Sequence, residues 1–100
     1  MDGQMTIWDF LGKSLNSPIN EIIESINERL GTNFTQIVDV NIKYYRLFEC
    51  YVKGHRLVID GTGLKNSGRV GFGIDGYFLA YRDFDELVDG IKERIREEIG

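Results

Sequence analysis

An α+β fold is predicted for this 100-residue chain: an antiparallel sheet of four or five strands, flanked by an N-terminal and a C-terminal amphipathic helix packed on one face. Three features predict it. Apolar residues recur at helical spacing near both ends, as Ile19, Ile22, Ile23, Ile26, Leu30 and again as Phe84, Leu87, Val88, Ile91, Ile95, Ile99. Between them the period falls to two and the residue types shift to Val, Ile, Tyr and Phe. Lys53-Gly54 and Asp75-Gly76 then sit where two-residue hairpin turns require positive φ.

The first helix is expected over about 18–30. Ser17 is placed to cap it, Pro18 to take its first position, and Gly31 to close it in the left-handed conformation. Glu21, Glu24, Asn27 and Glu28 are expected on its polar face. An early strand fits within Thr35 to Ile42, followed by a hairpin of Tyr44 to Lys53 with His55 to Asp60. Turning that hairpin at Lys53-Gly54 sets Tyr51 opposite Arg56, Cys50 opposite Leu57 and Phe48 opposite Ile59. The alternative turn at Gly54-His55 would set Glu49 against Asp60, a destabilising like-charge pair. A second hairpin joins Arg69 to Ile74 with Tyr77 to Arg82. It puts Val70, Phe72, Ile74, Tyr77, Leu79 and Tyr81 on one face, and Gly71, Gly73, Phe78 and Ala80 on a reverse face open to close approach by a helix or another backbone. The last helix, about 83–99, opens on Asp83 with Glu86 three residues on, a capping-box pattern. Its first turn is acidic and its last turns hold Lys92, Arg94 and Arg96, in keeping with the helix dipole. Residues 1–16 lie outside this plan as an N-terminal arm or short helix, and 17–100 read as one domain.

Composition narrows the function classes. The chain is 42% hydrophobic and 28% charged, as globular domains are. A single cysteine, Cys50, excludes an intramolecular disulfide framework and multi-cysteine metal sites, which suits a reducing, cytoplasmic home. A net charge of −4 is the wrong sign for general nucleic-acid binding. No apolar run reaches a membrane span, and Met1 to Gln4 lacks the basic start of a secretion signal.

The most specific short pattern is Gln4-Met5-Thr6-Ile7-Trp8, which resembles the pentapeptide by which bacterial proteins dock on the replication sliding clamp. The resemblance implies Gln4 as a polar anchor, with Ile7 and Trp8 filling an apolar pocket. The competing reading has Thr6 capping a short helix while Ile7, Trp8, Phe10, Leu11 and Leu15 pack on the domain. The opening as a whole, Gln4 to Phe10, resembles small proteins of phages and integrated elements in Gram-positive bacteria. That likeness implies a bacterial cytoplasm and an inhibitor of host machinery, anti-CRISPR and other anti-defence proteins included, with a defence nuclease or the clamp as partner.

Other residues invite chemistry. Gly61, Gly63, Lys65 and Arg69 lie in or beside a glycine-rich loop that would offer an anion site if its N–H groups converge; the Walker spacing is absent, and a connector between hairpins is the competing reading. His55 lacks metal-ligand neighbours, and Cys50 falls on the strand face of Phe48 and Val52, as a small buried hydrophobe does. Five tyrosines are more than a core requires, so Tyr45 and Tyr51 are candidate partner-binding residues, and a sheet edge or aromatic face is open to a second copy of the chain. Glu93, Glu97 and Glu98, interrupted by Arg94 and Arg96, read as a solvated helix face. The helix–strand–strand–strand–helix order is similar to that of double-stranded-RNA-binding domains, but Asp83, Asp85 and Glu86 replace the basic cluster such domains need. The sequence therefore favours a non-enzymatic protein-binding module without a cofactor. A small-anion binder is the alternative, and an enzyme comes last because neither paired carboxylates nor a nucleophile–base pair is visible.

Overall fold

A computed structural model describes residues 18–37 and 46–100, with the backbone alone at Lys65 and Asn66. The elements in chain order are α1 (Ile19–Leu30), β1 (Thr35–Gln36), β2 (Leu47–Val52), β3 (His55–Asp60), a one-turn α2 (Leu64–Ser67), β4 (Val70–Ile74), β5 (Tyr77–Tyr81) and α3 (Phe84–Glu98). The strands form one antiparallel sheet in the order β1-β2-β3-β4-β5. Ile22, Ile26, Leu87 and Ile91 from the helices meet Phe48, Leu57, Ile59, Val70 and Phe72 from the sheet in one core. Both long helices thus cover the same face, as the sequence predicts.

Local chemistry sets the element ends. Pro18 is extended (ψ 145) and its carbonyl accepts from the N–H groups of Glu21 and Ile22, so it precedes the first helical residue where the sequence placed it inside the helix. Ser17 lies outside the described residues. Gly31 (φ 66) closes α1 as expected, its N–H donating to the Asn27 carbonyl. Asn27 departs from its expected place on the polar face. Its side chain accepts from Phe34 N–H (2.8 Å) and donates to the Phe34 carbonyl (3.1 Å), closing the turn into β1. Phe34 is thereby delivered to the core, edge-on to Phe72 at 6.5 Å. Asp83 caps α3 by accepting from the N–H groups of Asp85 and Glu86.

Both hairpins adopt the expected registers, with Cys50 facing Leu57, Tyr51 facing Arg56, and Ile74 facing Tyr77. Lys53 (φ 51), Gly54, Asp75 (φ 51) and Gly76 all take positive φ, the geometry of type I′ turns. Two expectations about the second hairpin need correction. Tyr77 and Leu79 share the face of Phe72, yet they are exposed, and of this face of β5 it is Tyr81 that packs on the last helix, beside Gly90. Among the described residues, Gly73 on the reverse face is approached by neither a helix nor another backbone. The ring of Phe78, directly across the ladder, lies over it, and a Cβ at Gly73 would stand 2.7 Å from that ring.

The largest surprise is Arg94, expected on a solvated face and found 5% exposed. It follows Leu87 by seven residues and so belongs to the apolar stripe by position. Its guanidinium donates to the carbonyls of Phe72 (2.9 Å) and Tyr77 (2.8 Å) and pairs with Glu98 (2.7 Å). It also stacks over the rings of Phe72 and Tyr77, at 5.4 and 5.3 Å from their centroids. A planar fork is needed for this set of partners. Replacement of Arg94 by alanine is expected to cost about 3 kcal/mol in urea unfolding, by leaving polar groups without their charged partner. Lysine, which keeps the charge and loses the fork, should fall between the two; a lysine variant as stable as the wild type would contradict the account.

Candidate functional site

The sheet face opposite the helices is where the described residues concentrate interface-type side chains. By strand alternation and register it carries Glu49 and Tyr51 from β2, Arg56 and Val58 from β3, and Phe78 from β5. Tyr51 is 63% exposed and Phe78 44%. Val58 is buried on this face, beside Gly73 and in line with Phe78. Arg56 Nε donates to Glu49 at 2.8 Å, and this hydrogen bond raises the guanidinium pKa further above its ordinary value. The result is an apolar and aromatic strip with a fixed cation between Tyr51 and Val58.

The Asp75 turn is tied to this strip. Asp75 accepts from Arg56 N–H (3.1 Å), lies 2.6 Å from His55 Nδ1, and returns its own N–H to the Arg56 carbonyl (2.9 Å). The His55 contact, then the Arg56 N–H, lowers the Asp75 pKa. His55 is therefore engaged by a carboxylate through Nδ1. Cys50 is buried, and that burial pushes its thiol pKa up, away from the thiolate form.

An open groove of about 540 Å³ runs along the β2 edge, lined in part by Leu30, Thr32, Asn33, Cys50, Tyr51, Val52 and Ile95. It exists because β1 is two residues long. Ile37 donates to the Leu47 carbonyl and Thr35 faces Glu49, while the position opposite Tyr51 lies past the end of β1.

The glycine-rich loop is folded on itself. The N–H of Gly61 donates to Arg46 O, that of Leu64 to Gly61 O, that of Ser67 to Gly63 O and that of Gly68 to Leu64 O, while Thr62 N–H goes to Asp60. N–H groups used in this way do not converge on an anion. Gly61 has a packing reason instead, since a Cβ there would stand 2.7 Å from Ile19 Cδ1. Arg69 is exposed, and the Lys65 side chain lies outside the described residues. So do Gln4, Ile7, Trp8 and Tyr45. Of the sequence-derived partner residues, the structure thus describes Tyr51, and it sets Arg56 and Phe78 on the same face of the sheet. Arg56 was signalled by its predicted place opposite Tyr51. Phe78 was masked by its assignment to a face expected to be covered.

Among the described residues no group of three His, Cys, Asp or Glu side chains could hold a metal ion, and no helix is long and apolar enough to cross a membrane.

The depressed Asp75 pKa sets the sign of a pH effect. Its contribution is complete above the unfolded carboxylate value of about 4 and is lost as pH falls through the lower folded value. Asp75→Asn keeps a turn-compatible residue before Gly76, so the variant should lose less stability than the wild type on acidification below about pH 5. Parallel acid limbs in urea titrations would remove the Asp75 contact from the account. Compared with protein-family models, with curated proteins and with solved structures, the chain matches none, and the functional argument rests on its own geometry.

Proposed function

We propose that this chain is a non-enzymatic protein-binding module whose partner docks on the sheet face opposite the helices, around Tyr51, Arg56 and Phe78. The observation that carries the reading is the joint exposure of Tyr51 and Phe78 on a face that no described helix covers. Large aromatic side chains and a pre-positioned arginine are the residue types that dominate interface energetics, and the ion pair with Glu49 holds the arginine in place before a partner arrives. The clamp-like Gln4 to Trp8 pattern and the phage-like opening add a partner class: host proteins of nucleic-acid processing in bacteria, with inhibition as the outcome.

The reading is tested by immobilising the whole chain and a Tyr51→Ala variant, passing bacterial lysate over both, and identifying retained proteins by mass spectrometry. A partner held by the wild type should be lost from the variant, since removing an aromatic anchor costs roughly 2–4 kcal/mol of binding. The melting temperature should barely move, because Tyr51 is 63% exposed. Equal retention on both surfaces would refute docking at Tyr51. A clamp retained by the chain and released by Trp8→Ala would instead place the contact in the N-terminal pentapeptide.

A further inference from the structure

We infer that the end of the sheet away from the two hairpin turns is a docking surface for a short acidic segment of a protein partner, received by Arg69 and Arg82 with Arg46 beside them. Tyr51 stands at the other end of β2, next to the Lys53-Gly54 turn, so this surface is independent of docking there. Register assembles it. Val70 pairs with Tyr81 in the last rung of the β4–β5 ladder, and the next position outward belongs to Arg69 on one strand and Arg82 on the other. Both are exposed. Gly61 follows β3 at the same end and donates its N–H to the Arg46 carbonyl (2.8 Å), which places a third arginine at the start of β2. With about 4.8 Å between neighbouring strands, the three backbone positions are distributed over about 15 Å.

Two features set these arginines apart from ordinary surface cations. Arg29, Arg56, Arg94 and Arg96 pair with Asp85, Glu49, Glu98 and Glu93, whereas Arg46, Arg69 and Arg82 make no ion pair among the described residues. The carboxylates that adjoin them in ladder and sequence are already engaged. Asp60 accepts from the N–H and the hydroxyl of Thr62 (2.9 and 2.6 Å), and Asp83 caps α3. Like charges on facing strands repel, so Arg69 and Arg82 destabilise the free chain and an incoming anion relieves the repulsion. The second feature is segregation of charge by layer. α1 and α3 with its cap hold ten Asp or Glu against four Lys or Arg, whereas residues 46–82 hold three against six. The net charge of −4 thus arises from the helices and conceals a cationic sheet.

The same arrangement selects the occupant. Arginine forks pair bidentately with carboxylates and with phosphates. A nucleic-acid strand carries its charges in a long row, and past Arg82 it would run onto Asp83, Asp85 and Glu86 at the start of α3. A short acidic segment of a folded protein matches the arginines and ends before that turn.

Fluorescence anisotropy tests this, with labelled hexaglutamate titrated by the full chain at low salt and a hexathymidylate strand as the competing probe. The peptide should bind in the sub-millimolar range, more tightly than the nucleotide strand, and more weakly as salt rises. A variant combining Arg69→Gln with Arg82→Gln should weaken peptide binding at least about tenfold. Its melting temperature should not fall, because the substitutions remove a repulsion. Tyr51→Ala should bind the peptide as the wild type does, which separates this surface from the aromatic one. Should the double variant fail to fold, amide chemical shifts of the wild type decide: peptide-induced shifts centred on Arg69 and Arg82 support the proposal, and shifts confined to other residues overturn it. Absence of binding at millimolar peptide, equal binding by the double variant, or tighter binding of the nucleotide strand would each overturn it as well.

Discussion

The buried guanidinium of Arg94 is the interaction on which the far side of this sheet depends. The apolar helix layer reaches the central strands, where Phe48, Leu57, Ile59 and Phe72 are almost wholly enclosed, but among the described residues it meets β5 in apolar contact chiefly at Tyr81, beside Gly90. Tyr77 and Leu79 face the helix side without being covered, so apolar burial alone holds β5 weakly. Arg94 supplies what is missing by binding carbonyls on β4 and β5 together, with Glu98 balancing its charge. Its stem packs within the core while its head serves the backbone, a division of labour open to a long amphipathic side chain. An edge strand rich in exposed aromatic residues is thereby kept in register.

Much of the architecture was legible in the sequence because each element announces itself through local chemistry. The isoleucine stripe of α1, the Asp83 cap and the Asp75-Gly76 turn are all written within a few residues of where they act. The first hairpin register followed from a single electrostatic argument about Glu49 and Asp60, and the structure pairs Glu49 with Val58. What remained hidden depends on contacts distant in sequence. Arg94 reads as a surface cation until the carbonyls of Phe72 and Tyr77 are placed beneath it. Asn27 reads as a polar-face residue until Phe34 returns to meet it. The link from His55 to Asp75 spans two strands and a turn, and nothing in the local pattern of either residue points to the other.

The same distinction governs the functional surface. Tyr51 was identified from residue type and strand alternation, and it is exposed. Phe78 was assigned to a face expected to receive a helix or another backbone, and it proved to cover Gly73 itself. A glycine in a strand invites close approach, and the approaching group here is the cross-strand ring. The glycine-rich loop shows the converse. Its composition suggests an anion cradle, yet the N–H groups of Gly61, Thr62, Leu64, Ser67 and Gly68 are occupied by carbonyls and by Asp60, and its first glycine is set by contact with Ile19. Composition indicates which conformations are accessible; hydrogen-bond partners decide which one is used. Together these features describe a domain with both long helices on one face of the sheet and exposed Tyr51 and Phe78 on the other.

The central claim is that Arg94 holds β5 as an ordered strand whose outer side pairs with no strand among the described residues. Residue-resolved amide hydrogen exchange on dilute protein measures this directly. The account predicts alternation along β5, with Tyr77, Leu79 and Tyr81 protected by β4 while Phe78 and Ala80 exchange at nearly the rate of an unstructured chain, and loss of that protection first at β5 when Arg94 is replaced by alanine. Uniformly fast exchange from Tyr77 to Tyr81 in the wild type, or protection at β5 that survives the loss of Arg94, would contradict it.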